Sequence, residues 1–269
     1  MGKKKLIKRW DSFLEKIEER FDEILEQSEQ ATAQVIEKLE YDSTSIMNAW
    51  EGIELKLLKL QDKAEDAWSD KMDDLFGDRD DVSSKERYRE LFKYEGLNHE
   101  MQKKYVKTHT KVLAEAGRKI YNNVINHIDT NKIHSCKQCG DQMNIEIYSF
   151  MAKNIKCDSC GTVNSYEPDS RIQALEAFVI DPLAEELVLD LKIKQLDIEH
   201  AISRLHDNRN KEGAKEKELK LERQLIDTKK EIINKYYSYC ETNIPDKAPY
   251  FKKQKEERLQ WAEDKKLSY

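Results

Sequence analysis

The chain has little that lets a backbone turn sharply. Its 269 residues include 8 Gly and 4 Pro, where average usage would supply roughly 19 and 13. That deficit argues against an all-β fold and predicts long helices. No two glycines lie closer than nineteen residues, which excludes both a phosphate-binding Walker loop and a dinucleotide-binding glycine turn. No apolar run approaches the ~20 residues that span a bilayer, and 37% of the residues are charged. The six histidines form no Glu-x-x-His or His-Glu-x-x-His motif. The nearest arrangement, Asp197-x-x-His200, falls short of the paired motifs of a di-iron bundle and reads as a hydrogen-bonded helical histidine. The basic stretch Met1 to Arg9 is not followed by the apolar stretch of a secretory signal. A cytoplasmic location is expected, without peripheral membrane contact through the N-terminus.

All four prolines, Pro168, Pro182, Pro245 and Pro249, fall in the C-terminal part, so nothing of that kind stops a helix in the first 130 residues. Trp10, Leu14, Ile17, Phe21, Ile24, Ser28, Ala31 and Val35 keep the 4 and 3 spacing of a coiled-coil seam. A second seam, shifted in phase, runs through Ile36, Leu39, Ser43, Ile46, Trp50, Ile53, Leu57, Leu60 and Ala64. The cap-like cluster Asp42 to Ser45 divides residues 4–76 into two arms of similar length, which favours an antiparallel hairpin. Phe13 and Trp68 flank the seams and join the predicted core.

Downstream, Ser83 with Glu86 makes a capping box that predicts a helix start. Gly96 and Asn98 predict an interruption, and apolar residues from Met101 to Ile128 mark a further helix ending near Asp129 to Asn131. After the cysteine region, Ser170 is a candidate N-cap and Asp181-Pro182 reads as a second helix start. Leu183 to Leu205 has two apolar faces and is predicted as the most buried helix. Alternating Lys and Glu over 214–241 predict an exposed helical arm, and the last helix takes Trp261 as its anchor. The predicted organisation is an N-terminal hairpin (1–80), a helical segment (81–132), a cysteine module (133–167), long C-terminal helices (168–244) and a short terminal helix (245–269). The fold class is mainly α, a bundle of long helical hairpins with a small β insertion.

One motif carries chemistry. Cys136-Lys137-Gln138-Cys139 is followed after seventeen residues by Cys157-Asp158-Ser159-Cys160, the spacing of a four-cysteine zinc site. Each Cys-x-x-Cys turn presents two thiolates on one side of a tight loop, and two such turns close a tetrahedron. Gly140 and Gly161 follow each pair, where the chain turns back. Alternation at Met143, Ile145 and Ile147 predicts a strand, with two more around Ile155 and Val163 to Tyr166. The segment resembles a zinc ribbon of the rubredoxin-like kind over about residues 133–167. The resemblance implies one structural Zn2+ on Cys136, Cys139, Cys157 and Cys160, but no activity, because such ribbons occur in polymerase subunits, ribosomal proteins, chaperones and secretion adaptors. Spacing does not separate zinc from iron, and His134 is an alternative ligand. Cys240, beside Tyr236, Tyr237 and Tyr239, has no base placed next to it and reads as packing.

These features predict a non-enzymatic scaffold or adaptor that binds a protein partner, or a second copy of itself, along its helical seams. The second reading is a nucleic-acid-associated zinc-ribbon factor of transcription or translation, motivated by Lys103, Lys104, Lys107, Lys111, Arg118 and Lys119 on one helix. The formal net charge of −6 opposes it.

Overall fold

The computed structural model describes residues 3–76, 81–127, 134–143, 152–167, 169–206 and 213–264, and it is helical apart from two small sheets beside the cysteines. Helix α1 (Lys3–Glu37) and helix α2 (Thr44–Ala67) are joined by a short turn. There the Thr44 backbone N–H donates to Asp42 Oδ1 at 2.7 Å, and the Thr44 hydroxyl foremost, then this N–H, hold the Asp42 carboxyl below its ordinary value. The two helices run antiparallel: Trp10 meets Trp68 with ring centroids 5.8 Å apart, and Trp50 Nε1 donates to Thr32 Oγ1 at 3.2 Å. Beyond α2 the chain tightens through a π turn, Trp68–Met72, and a 3-10 turn, Asp74–Phe76. Trp10, Leu14, Ala64, Trp68, Met72, Phe76 and Tyr94 close this end as a small second core.

Helix α3 (Asp81–His127) runs the full length of the hairpin, parallel to α1. Lys93 reaches Asp11 at 2.7 Å near one end, and Asn123 Nδ2 donates to the Leu39 carbonyl at 2.7 Å near the other. Its start precedes Ser83, and it continues through Gly96 and Asn98, contrary to the interruption expected there. A single glycine costs a helix only about 1 kcal/mol, which the burial of Tyr94 and Met101 on either side outweighs. The expected end at Asp129 to Asn131 lies outside the described residues.

Strands β1 (His134–Ser135) and β2 (Gln142–Met143) form one antiparallel hairpin, and β3 (Lys153–Lys156) and β4 (Val163–Tyr166) form a second. The remainder of the strand expected over Met143 to Tyr148 lies outside the described residues.

The chain then descends antiparallel to α3 as α4 (Ser170–Leu175), a π turn at Glu176–Ile180, α5 (Asp181–Leu187) and α6 (Leu189–His206). The N-cap of α4 is Asp169, whose carboxylate accepts from the Arg171 backbone N–H, rather than Ser170. Helix α5 does start at Asp181-Pro182 as expected, but Asp181 is its first helical residue rather than its N-cap, because the preceding π turn leads into it in helical conformation. The widened π turn lies immediately before the proline, where a regular turn would set the ring against the carbonyl four residues back. Helix α7 (Ala214–Asn243) returns after Gly213, whose φ of +79° sets its start, and α8 (Ala248–Asp264) descends along it after a 3-10 turn.

The most buried helical stretch is the middle of α3, not Leu183 to Leu205. Met101, Ala114, Ala116, Ile120 and Val124 are fully enclosed, whereas Leu187 is exposed. The reason is position: α3 has α1 and α2 on one side and α4 to α6 on the other. Trp261 is likewise half exposed, and Phe251 and Ala262 are the buried apolar residues of α8. One main core joins residues from Ile17 to Phe251.

Burial along α1 departs from the heptad reading. It follows Trp10, Leu14, Ile17, Phe21, Leu25, Thr32 and Ile36, the 3.6-residue rhythm of a straight helix, while a strict 3.5 repeat drifts by about 20° per heptad. Past Phe21 the expected seam therefore turns outward, and Ile24, Ser28, Ala31 and Val35 line a groove of about 530 Å³ between α1 and α2. Along α2, by contrast, Ile46, Trp50, Leu57, Leu60 and Ala64 are buried as the pattern expects.

Candidate metal centre

The two Cys-x-x-Cys turns are the loops of the two β hairpins, and they are built alike. The Cys136 backbone N–H donates to the Asp141 carbonyl at 2.7 Å, and the Gly140 N–H to the Cys136 carbonyl at 2.9 Å. In the second turn the Cys157 N–H donates to Thr162 and the Gly161 N–H to Cys157, both at 2.9 Å. Gly140 and Gly161 have φ of +76° and +74°, a left-handed conformation in which a Cβ would clash with its own backbone.

The turns face each other. The sulfurs of Cys136 and Cys160 are 3.6 Å apart, as are those of Cys139 and Cys157, and all four lie within 4.8 Å of one another. These separations are far beyond the ~2.05 Å of a disulfide, and all four are free cysteines. Among the described residues this is the one group of three or more His, Cys, Asp or Glu side chains placed to hold a metal ion. His134 does not join it. Its ring packs edge-on against Tyr166, with centroids 5.1 Å apart.

Around the sulfurs, hydrogen bonding ties one turn to the other. Asn164, buried on β4, donates from Nδ2 to Cys136 Sγ at 3.4 Å and accepts at Oδ1 from the Lys137 backbone N–H at 2.9 Å. Ser159 Oγ donates to the Asp141 carboxylate. The sequence reading missed Asn164, although a signal was there: the alternation of β4 puts Asn164 and Tyr166 on its buried face.

The thiols are electrostatically unequal. The Cys139 backbone N–H, the Asn164 amide and the Gln138 N–H favour a thiolate at Cys136 and lower its pKa to about 6. The Thr162 hydroxyl and N–H lower that of Cys160. At Cys139 the Asp141 N–H also favours the thiolate, yet the neighbouring sulfurs, Cys160 foremost, push its pKa up to about 12. Four sulfurs this close cannot all carry negative charge without a cation among them. The donor set therefore suits a thiophilic metal ion with four-fold coordination.

The other candidates do not assemble into a site. Burial raises the Cys240 thiol pKa to about 12, with nearby Asp181 adding to it, so it is a packing residue by geometry and chemistry alike. Of the basic stretch, Lys103 pairs with Asp197 at 2.9 Å, Lys104 with Asp22 at 2.8 Å and Arg118 with Glu186. His200 stacks on His99 with ring centroids 4.3 Å apart, and His99 Nε2 is 2.8 Å from Asp197. No family model, no curated protein and no solved structure matches the chain.

Proposed function

We propose that the protein is a non-enzymatic helical adaptor whose four cysteines hold one structural zinc ion. Zinc is supported by the sulfur spacing: a tetrahedron with Zn–S bonds of ~2.3 Å has an edge of about 3.8 Å, close to the two separations of 3.6 Å. Four thiolates fill such a tetrahedron and leave no position for water or substrate, which supports a structural rather than a catalytic ion. Elemental analysis of protein purified under reducing conditions should find one zinc per chain. A metal-free but folded cysteine module, or iron in place of zinc, would refute this part.

The observation that carries the adaptor reading is the outward turn of the α1 stripe. Ala31 and Val35 are exposed, and Ile24 and, across from them on α2, Ile53 are only partly buried against the main core; together they line the groove. An apolar stripe of this length is suited to a helix from a partner or a second copy. The nucleic-acid reading is weakened because three of the six α3 cations that motivate it, Lys103, Lys104 and Arg118, are committed to carboxylates of the same chain, which leaves fewer charges to meet phosphates. Tagged protein from its own host should co-purify with a protein partner or self-associate, and Val35→Asp with Ile53→Asp should abolish that association. Salt-sensitive nucleic acid in place of protein would favour the second reading.

A further inference from the structure

We infer that a second groove, walled by α2 and α6 and floored by α3, docks a basic amphipathic helix of a partner protein. The inference rests on the adaptor reading and names the chemistry of the partner. The groove encloses about 690 Å³. Its floor extends from Tyr94 to Val106 on α3 and its wall from Glu54 to Glu65 on α2. At 1.5 Å per residue these stretches are about 16–18 Å long, the length of three helical turns.

Charge defines the occupant. Glu54, Asp62, Glu65, Glu95 and Glu199 line the groove, and among its described lining residues none is lysine or arginine; Glu199 is already paired with Lys229 at 3.1 Å, so the carboxylates of α2 and α3 carry the charge of the groove. Lys103, on the same helix as the floor, is turned to Glu100 and Asp197 at 3.1 and 2.9 Å and does not neutralise it. A second observation points the same way. Asn98, on the floor, is half-buried, and its side chain hydrogen-bonds Tyr94 while its Oδ1 is left without a donor, so it offers an acceptor that a Lys or Arg donor can satisfy.

Shape favours a helix over a small cation. Leu58, 44% exposed on α2, Val106 on α3 and Leu196 on α6 supply an apolar strip within the acidic rim. A compact polycation would leave that strip in water. A helix with apolar residues at i, i+4 and i+7 covers it while flanking Lys and Arg side chains meet the carboxylates.

The test uses the full chain and a labelled fourteen-residue helical peptide (~14 residues, about four turns) with leucines on one face and Lys or Arg on the flanks. A version with Glu at the flanks serves as control, and spermine as competitor. In fluorescence anisotropy the basic peptide should bind, the acidic one should not, and added salt should weaken binding. Asp62→Asn with Glu65→Gln and Glu54→Gln should weaken binding about tenfold, at the usual strength of exposed charge pairs. Leu58→Ser should weaken it at every salt concentration. No binding of the basic peptide, equal binding of the acidic one, or wild-type affinity in both variants overturns the inference. So does binding of spermine that Leu58→Ser leaves unchanged, which would make this a small-polycation site. If the basic peptide fails while a co-purifying partner is still lost with Val35→Asp and Ile53→Asp, the groove inference falls and the adaptor reading stands.

Discussion

Three glycines in the helices separate packing from propensity. In a helix interior Gly→Ala normally stabilises by about 1 kcal/mol, because alanine has less backbone freedom to lose. At Gly52 on α2 and Gly96 on α3 an added Cβ meets nothing within 4 Å, so Gly52→Ala and Gly96→Ala should show that gain. Gly117 differs. A Cβ there would lie 2.9 Å from the Phe178 carbonyl oxygen and 3.3 Å from Val179 Cα, both backbone atoms of the π turn that packs across α3. Neither can rotate away as a side chain does, so the turn or α3 must shift, an overpacking cost of about 1–3 kcal/mol. Gly117→Ala should therefore unfold at lower urea than Gly96→Ala by that difference, roughly 0.3–1 M for a denaturant slope near ~3 kcal/mol/M. If the two variants are equally stable, α3 is not held against Glu176–Ile180 as described, and the account of the core fails with it.

Further outcomes follow from the core, the metal centre and the histidines. Trp50 is fully enclosed, so Trp50→Ala should destabilise by about 3–5 kcal/mol; Trp50→Phe should cost nearer ~1–2 kcal/mol, mostly the lost bond to Thr32, and chemical denaturation distinguishes these values. On the zinc reading, Asn164→Ala should lower metal affinity about 10–100-fold in a chelator competition. Cys139→Ser should unfold residues 133–167 while most helical circular dichroism persists; loss of the whole helical signal would show that the module supports the main core. Burial lowers the pKa of His109, and burial together with the His99 charge lowers that of His200. Their neutral forms are thus favoured by folding, and the stability they contribute is present above the ordinary histidine value near ~6.5 and lost as pH falls below it. Thermal midpoints should drop between pH 7.5 and 5.5, by less in His109→Gln and His200→Gln; a midpoint independent of pH in the wild type contradicts the burial of these rings.

Local features of the chain were legible because they depend on neighbours a few residues apart. The shortage of glycine and proline predicts the helices, Cys-x-x-Cys-Gly predicts two turns that each need a left-handed residue, and the spacing of Ile46, Trp50, Leu57 and Leu60 predicts which side of α2 is buried. What the tertiary structure decided depends on which element lies opposite. Leu25 and Thr32 replace the expected outer half of the first α1 seam, while Ile36 is buried as the second seam expects, because a straight helix keeps its 3.6-residue period against α3. Continuity of α3 through Gly96 comes from burial on either side, which no local preference encodes. Phe251, not Trp261, is a buried residue of α8, and Lys103 and Lys104 of α3 are paired with Asp197 and Asp22, far away in the chain. The four cysteines could be counted in the sequence. Asn164 became recognisable beside them only once β4 was paired and its inner face turned to Cys136, because a hydrogen bond to sulfur is set by distance in space and not along the chain.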